Sequence, residues 1–169
     1  MKTAIKLYSL DYSNIRTYLF SFLFVIGNIV LPQLCHFIPN GGVTLLPIYF
    51  FTLIAAYKYG LRVGLLTAIL SPVINYFLFA MPSAGMLPLI LVKSSLLALS
   101  ASAAAHYCKK ISLPAIIIAV LVYQFLAIIA ELIFTGSIQI ALNSFRTAIP
   151  GILIQMFGGY ALLKSIAKI

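Results

Sequence analysis

The chain has 169 residues, 63% of them hydrophobic, with a mean hydropathy of +1.15. Eleven Lys and Arg face only two acidic residues, so 8% of the chain is charged, where a soluble domain carries about 25%. That is too little charge to cover a water-facing surface. It excludes an ordinary globular enzyme and a disordered tail, and basic residues scattered between apolar blocks exclude a nucleic-acid module despite the net charge of +9.

A polytopic membrane protein remains. Its apolar runs are long and continuous and do not alternate over ~10-residue segments, which predicts helices rather than a transmembrane barrel. At roughly 20 apolar residues per span the chain has room for about six. The first basic residues, Lys2, Lys6 and Arg16, are spread over a polar stretch with no small-x-small cleavage site after the first apolar run. The first span is therefore expected to be retained rather than removed as a signal peptide.

The predicted spans follow in chain order. The first runs from about 17 to 35 and ends at the turn signal Pro39-Asn40-Gly41-Gly42. The second, about 43–57, carries Pro47 in its first turn, where a missing N–H is tolerated. The third covers about 61–80. The fourth, about 88–107, follows the loop Met81-Pro82-Ser83-Ala84-Gly85. The fifth covers about 114–134 and the sixth about 148–167. Together they predict a single all-α transmembrane domain, a bundle of six helices.

Charge sorts these spans by side. With the N-terminus in the cytoplasm, Lys2, Lys6, Arg16, Lys58, Arg62, Lys109, Lys110, Lys164 and Lys168 all fall on the cytoplasmic face, Arg146 falls outside and Lys93 lies within a span. The positive-inside rule then predicts both termini in the cytoplasm. Cys35 at the outer end of span 1 and Cys108 at the inner end of span 4 are a bilayer apart, too far for a disulfide.

Polar groups inside a membrane are costly, about 2.5–3.5 kcal/mol for a central charge, so their positions are informative. Lys93 in span 4, Glu131 in span 5, Asn75 in span 3 and Gln155 in span 6 all fall in outer halves. His36 sits at the mouth of span 1, and the loop after span 5 brings Gln139, Asn143 and Arg146. These residues predict a solute pocket open to the outside, roofed by segments 36–42, 81–87 and 135–147. Its aromatic lining would come from Tyr49, Phe50, Tyr76, Phe79 and Phe145. A second reading makes Lys93 and Glu131 a pair that neutralises itself between helices, with Asn75 and Gln155 as interhelical hydrogen-bond partners. Small residues repeat along two helices, at Gly60, Gly64 and Ala68 and at Ser94, Ala98 and Ser102, a pattern that lets backbones approach closely.

Several chemistries have no residues to carry them. There is no Walker A loop, no HExxH, no GxSxG, no metal-ligand spacing and no pair of carboxylates. The expectation is a non-enzyme with no catalytic residues, no metal and no cofactor.

The stretch from Gly42 through Pro47, Gly60 and Gly64 to Pro72 resembles spans 2 and 3 of the substrate-binding S-components of energy-coupling factor (ECF) vitamin transporters. Those proteins are similar in size, have six helices and carry a Pro followed by Gly-xxx-Gly at this point. The resemblance implies a protein of the bacterial inner membrane that captures a vitamin or related micronutrient from outside. It also implies partners, a transmembrane scaffold subunit and two ATPase subunits that drive import. The solute contacts expected on this basis are Lys93, Glu131, Asn75, Arg146, Asn143, Gln155, Tyr49, Tyr76 and His36. One departure is visible. The Ala-xxx-Ala pair that many members use to dock the first helix is absent from Ser21-Phe-Leu-Phe-Val25-Ile-Gly27-Asn28, which points to a divergent partner or a solitary member. Some solitary relatives carry cobalamin, with a cysteine on cobalt, and Cys35 is on the side for that role. The alternative class is a membrane scaffold resembling the rod-shape-determining proteins.

Overall fold

The computed structural model describes residues 9–166; Lys2, Lys6, Lys168 and the last residue of the sixth predicted span lie outside them. Among the described residues there are helices and no strands, and six helical segments are long and apolar enough to cross a membrane. The chain is a multi-pass, all-α, six-helix membrane protein. The segments of 18 to 23 residues would be about 27–35 Å long, which matches a hydrocarbon core of about 30 Å.

The spans are α1 (Ile15–Cys35), the pair α2 (Gly41–Thr44) and α3 (Pro47–Tyr59), α4 (Leu61–Phe79), α5 (Leu87–Cys108), α6 (Leu113–Thr135), and a last span built from α8 (Ile149–Leu153), a π-helical turn (Ile154–Gly158) and α9 (Gly159–Ile166). Between α6 and the last span lies α7 (Ile138–Thr147). Span 2 is therefore broken: Leu45 and Leu46 separate α2 from α3, and Leu46 takes the left-handed conformation (φ 50°) ahead of Pro47.

The segment 135–147, read from sequence as a loop, is the main correction to the element list. Gly136 stops α6 in the left-handed conformation (φ 66°), which costs glycine nothing. Ser137 then caps a new helix by accepting from the Ile140 N–H. Helical spacing along it places Ala141, Ser144, Phe145 and the following Ala148 on one face.

Helix α3 is the axis of the bundle. Ten of its thirteen residues are buried, and α1, α4, α5 and α9 pack around it. The small-residue ladders serve this internal packing. A Cβ on Gly64 would stand 2.5 Å from the Ala56 Cβ, so only glycine lets α4 come this close to α3. Ala68, Ser94, Ala98 and Ala101 are fully buried.

Polarity is turned inward where the helices meet. On α1, Thr17, Ser21 and Asn28 are buried, while Leu19, Phe22, Leu23, Ile26 and Val30 are exposed, toward the lipid in this reading. Asn28 is the hub. Its Nδ2 donates to Thr52 Oγ1 (3.0 Å) and Ser71 Oγ (3.1 Å), and its Oδ1 accepts from the Phe51 N–H (3.1 Å). Its backbone carbonyl accepts from Asn75 Nδ2 (3.1 Å). Four side chains and a main-chain amide thus tie α1, α3 and α4 together.

The described basic residues Arg16, Lys58, Arg62, Lys109, Lys110 and Lys164 gather at one end, the end that the charge pattern assigns to the cytoplasm. Several of them hold the fold. Lys58 is buried and donates to the Ile166 carbonyl, neutralising the negative end of α9. Arg62 pairs with Asp11 at 2.7 Å, and Tyr57 Oη donates to the Lys110 carbonyl at 2.8 Å.

Candidate functional site

At the end of the bundle away from these basic residues, a half-enclosed cavity of about 160 Å³ opens between α3, α5, α6 and α7. Each helix supplies the residues that its period turns to one side. These are Ile48 and Tyr49 from α3, Leu89, Ile90 and Lys93 from α5, and Tyr123, Gln124, Ala127, Ile128 and Glu131 from α6. Helix α7 adds Ala141, Ser144 and Phe145, and Gly42, Val43, Leu46 and Met86 close the rim.

The walls are apolar and aromatic, and the charge is concentrated in one group. Lys93 Nζ lies 2.5 Å from Glu131 Oε2. The other carboxylate oxygen, Oε1, accepts a hydrogen bond from Ser144 Oγ at 2.5 Å. The Lys93 side chain is 18% exposed and that of Glu131 5%, so the pair is shielded from solvent and its attraction is stronger than at a surface. The two formal charges cancel, leaving the cavity electrically neutral overall. Beside it, the Tyr49 and Tyr123 rings stand with centroids 6.0 Å apart.

Three of the nine residues expected to contact solute, Lys93, Glu131 and Tyr49, line this cavity. The other six do not. Asn75 belongs to the Asn28 network between α1 and α4, donating to the Asn28 and Ser71 carbonyls. Tyr76, half-buried on α4, stands edge-on to Phe77. Asn143 and Arg146 are exposed on α7, off the face that carries Ser144. His36 is exposed at the end of α1. Gln155 is fully buried in the π-helical turn, and neither of its amide atoms finds a hydrogen-bond partner among the described residues. Of the other aromatic candidates Phe145 lines the cavity, whereas Phe50 packs beside Gly158 and Phe79 is exposed.

Sequence reasoning missed Ser144 and Tyr123 and set Gln124 aside. The signal for Ser144 was present, because Ala141, Ser144, Phe145 and Ala148 follow helical spacing within a segment read as a loop. Tyr123, Gln124, Ala127, Ile128 and Glu131 likewise form one stripe of α6. Cys35, at the end of α1, is not among the residues that line the cavity. Among the described residues no group of three or more His, Cys, Asp or Glu is arranged to hold a metal ion. Comparison with protein-family models, curated proteins and solved structures returns no match.

Proposed function

We propose that this protein is a membrane-embedded solute-binding subunit that captures a small, vitamin-like micronutrient from the outer face of the bacterial inner membrane. In this reading it delivers the solute for import in an ECF-type complex, with a transmembrane scaffold subunit and two ATPase subunits as partners. The observation that carries it is the shielded Lys93–Glu131 pair on the wall of an apolar cavity, at the end of the bundle opposite the cluster of Arg16, Lys58, Arg62, Lys109, Lys110 and Lys164. Buried charges in a membrane protein that face a cavity rather than only each other mark solute paths, and a few polar groups in an apolar pocket are what a small-molecule site needs.

Size and charge narrow the solute. A cavity of about 160 Å³ compares with the roughly 150 Å³ that accepts benzene, so it suits a single ring with short substituents. It is far too small for a corrinoid macrocycle, which separates this reading from a cobalamin carrier. Because Arg146 is exposed on α7 and Lys93 is already paired, no excess positive charge favours an anion. A neutral or zwitterionic ring compound fits, its ammonium meeting Glu131 and its carboxylate Lys93.

The test is mass spectrometry of compounds carried through purification, followed by thermal unfolding against a vitamin panel. One ring-sized compound is expected to raise Tm by about 5 °C or more at a hundredfold excess over its Kd. The double variant Lys93→Met/Glu131→Gln is expected to lose that shift. A panel that shifts nothing, together with a pulldown that recovers cell-wall morphogenesis proteins and no ATPase, would move the protein to the scaffold class.

A further inference from the structure

The cavity carries a second polar feature that the ion pair does not use. Gln124 sits on α6 seven residues before Glu131, about 10 Å of helix rise and two turns away on the same stripe. Both side chains line the cavity. Gln124 is 6% exposed, and among the described residues its Nε2, closed to solvent, makes no hydrogen bond of normal length and angle, the Tyr123 hydroxyl being the polar group beside it. A donor left unmade in apolar surroundings is unfavourable. Turned toward the cavity that its side chain lines, the amide would meet an acceptor there and lose that penalty. The Tyr49 and Tyr123 rings, tilted against each other with centroids 6.0 Å apart, also line the cavity and add aromatic surface to its wall.

We propose that Gln124 is a specificity-determining residue. Its amide donates to a ring nitrogen or carbonyl on the far edge of a single-ring solute whose ammonium or zwitterionic end meets Lys93 and Glu131. This deepens the solute-binding reading above and rests on it. The site then acts as a ruler, with charge at one end and a neutral donor two turns along α6. A solute of the right shape without the acceptor would seal the Gln124 donor unpaired, and sites built to hydrogen-bond a group reject analogues lacking it.

Matched probes that differ only in the acceptor test this. One pair is para-pyridylalanine and phenylalanine, and the other is para-picolylamine and benzylamine. In each, a ring nitrogen replaces a C–H at the end away from the charged group. Binding is measured by calorimetry on the full chain in lipid nanodiscs, at mildly alkaline pH where the pyridine is neutral. The native protein is expected to bind the pyridyl member of at least one pair about tenfold more tightly. Gln124→Met is expected to abolish that preference while still binding the phenyl member. Equal affinity within each pair the native protein binds, or a preference that survives in Gln124→Met, overturns the role of Gln124 and leaves solute binding standing. Binding of none of the four also overturns it, and the vitamin panel decides the parent reading separately. The native comparison needs no variant, so a poorly folding Gln124→Met does not shield the proposal.

Discussion

Lys93 on α5 and Glu131 on α6 are joined at 2.5 Å on the wall of the cavity, and this bond is the main electrostatic tie between the two helices. Neither residue can be removed alone without leaving an uncompensated charge away from water. Breaking a buried pair by removing one partner costs about 3–5 kcal/mol, whereas removing both is often neutral. Lys93→Met is therefore expected to lower stability by about 3 kcal/mol. Lys93→Met/Glu131→Gln is expected to recover most of the loss while abolishing solute binding. Urea or thermal unfolding of the two variants in detergent, beside a binding assay, checks this. A double variant as unstable as the single one would show that the pair stabilises the fold by more than mutual neutralisation.

Helix α7 divides its residues sharply between cavity and solvent. Ser144 donates to Glu131, while Asn143 and Arg146, only one and two residues away, are exposed. Ser144→Ala removes a bond to a charged acceptor and is expected to cost about 1.5–3 kcal/mol. Asn143→Ala and Arg146→Ala are expected to stay within about 0.5 kcal/mol of the parent. Thermal unfolding of the three variants separates the two faces. Equal effects would mean that α7 is not seated on the cavity through Ser144.

Asn28 joins three helices through bonds that no single substitution can replace. Its side chain satisfies Thr52, Ser71 and the Phe51 N–H at once. Interhelical bonds in membranes average about 0.6 kcal/mol each and reach about 1.7. Asn28→Leu is therefore expected to destabilise by about 2 kcal/mol, and Asn75→Leu by roughly a third of that, because Asn75 makes one interhelical bond. Chemical denaturation ranks the pair, and the reverse order would remove Asn28 from the hub.

The fold was legible in sequence because lipid permits few solutions. Long apolar runs demanded helices, and six of the eight described Lys and Arg residues, all but Lys93 and Arg146, sorted to one end. The site was half legible. Lys93 and Glu131 stood out because a charge in a span needs a reason, and they do pair. Depth alone could not place the rest, because it says how far along a helix a residue lies and not which way it faces. Asn75 shares the outer half of its span with the ion pair yet turns toward α1, and Arg146 shares a helix with Ser144 yet points away from the cavity residues. Facing is read from period, and the period of α7 was hidden by taking Gly136 and Ser137 as the start of a loop rather than as a stop and a cap.

Gln155 offers the sharpest contrast between position and role. It lies at 0% exposure inside the π-helical turn, with both amide atoms unbonded among the described residues. It is not among the cavity-lining residues. π-helical turns are often retained at functional sites, and this one puts an unsatisfied amide into the packed last span. A buried polar group without partners costs about 1–3 kcal/mol. Methionine has nearly the same length and no such requirement. Gln155→Met is thus expected to raise stability by about 1–2 kcal/mol, seen as a higher Tm, and to leave solute affinity unchanged. A lower Tm would show that the amide is hydrogen-bonded in the membrane, and a loss of affinity would bring Gln155 into the binding site.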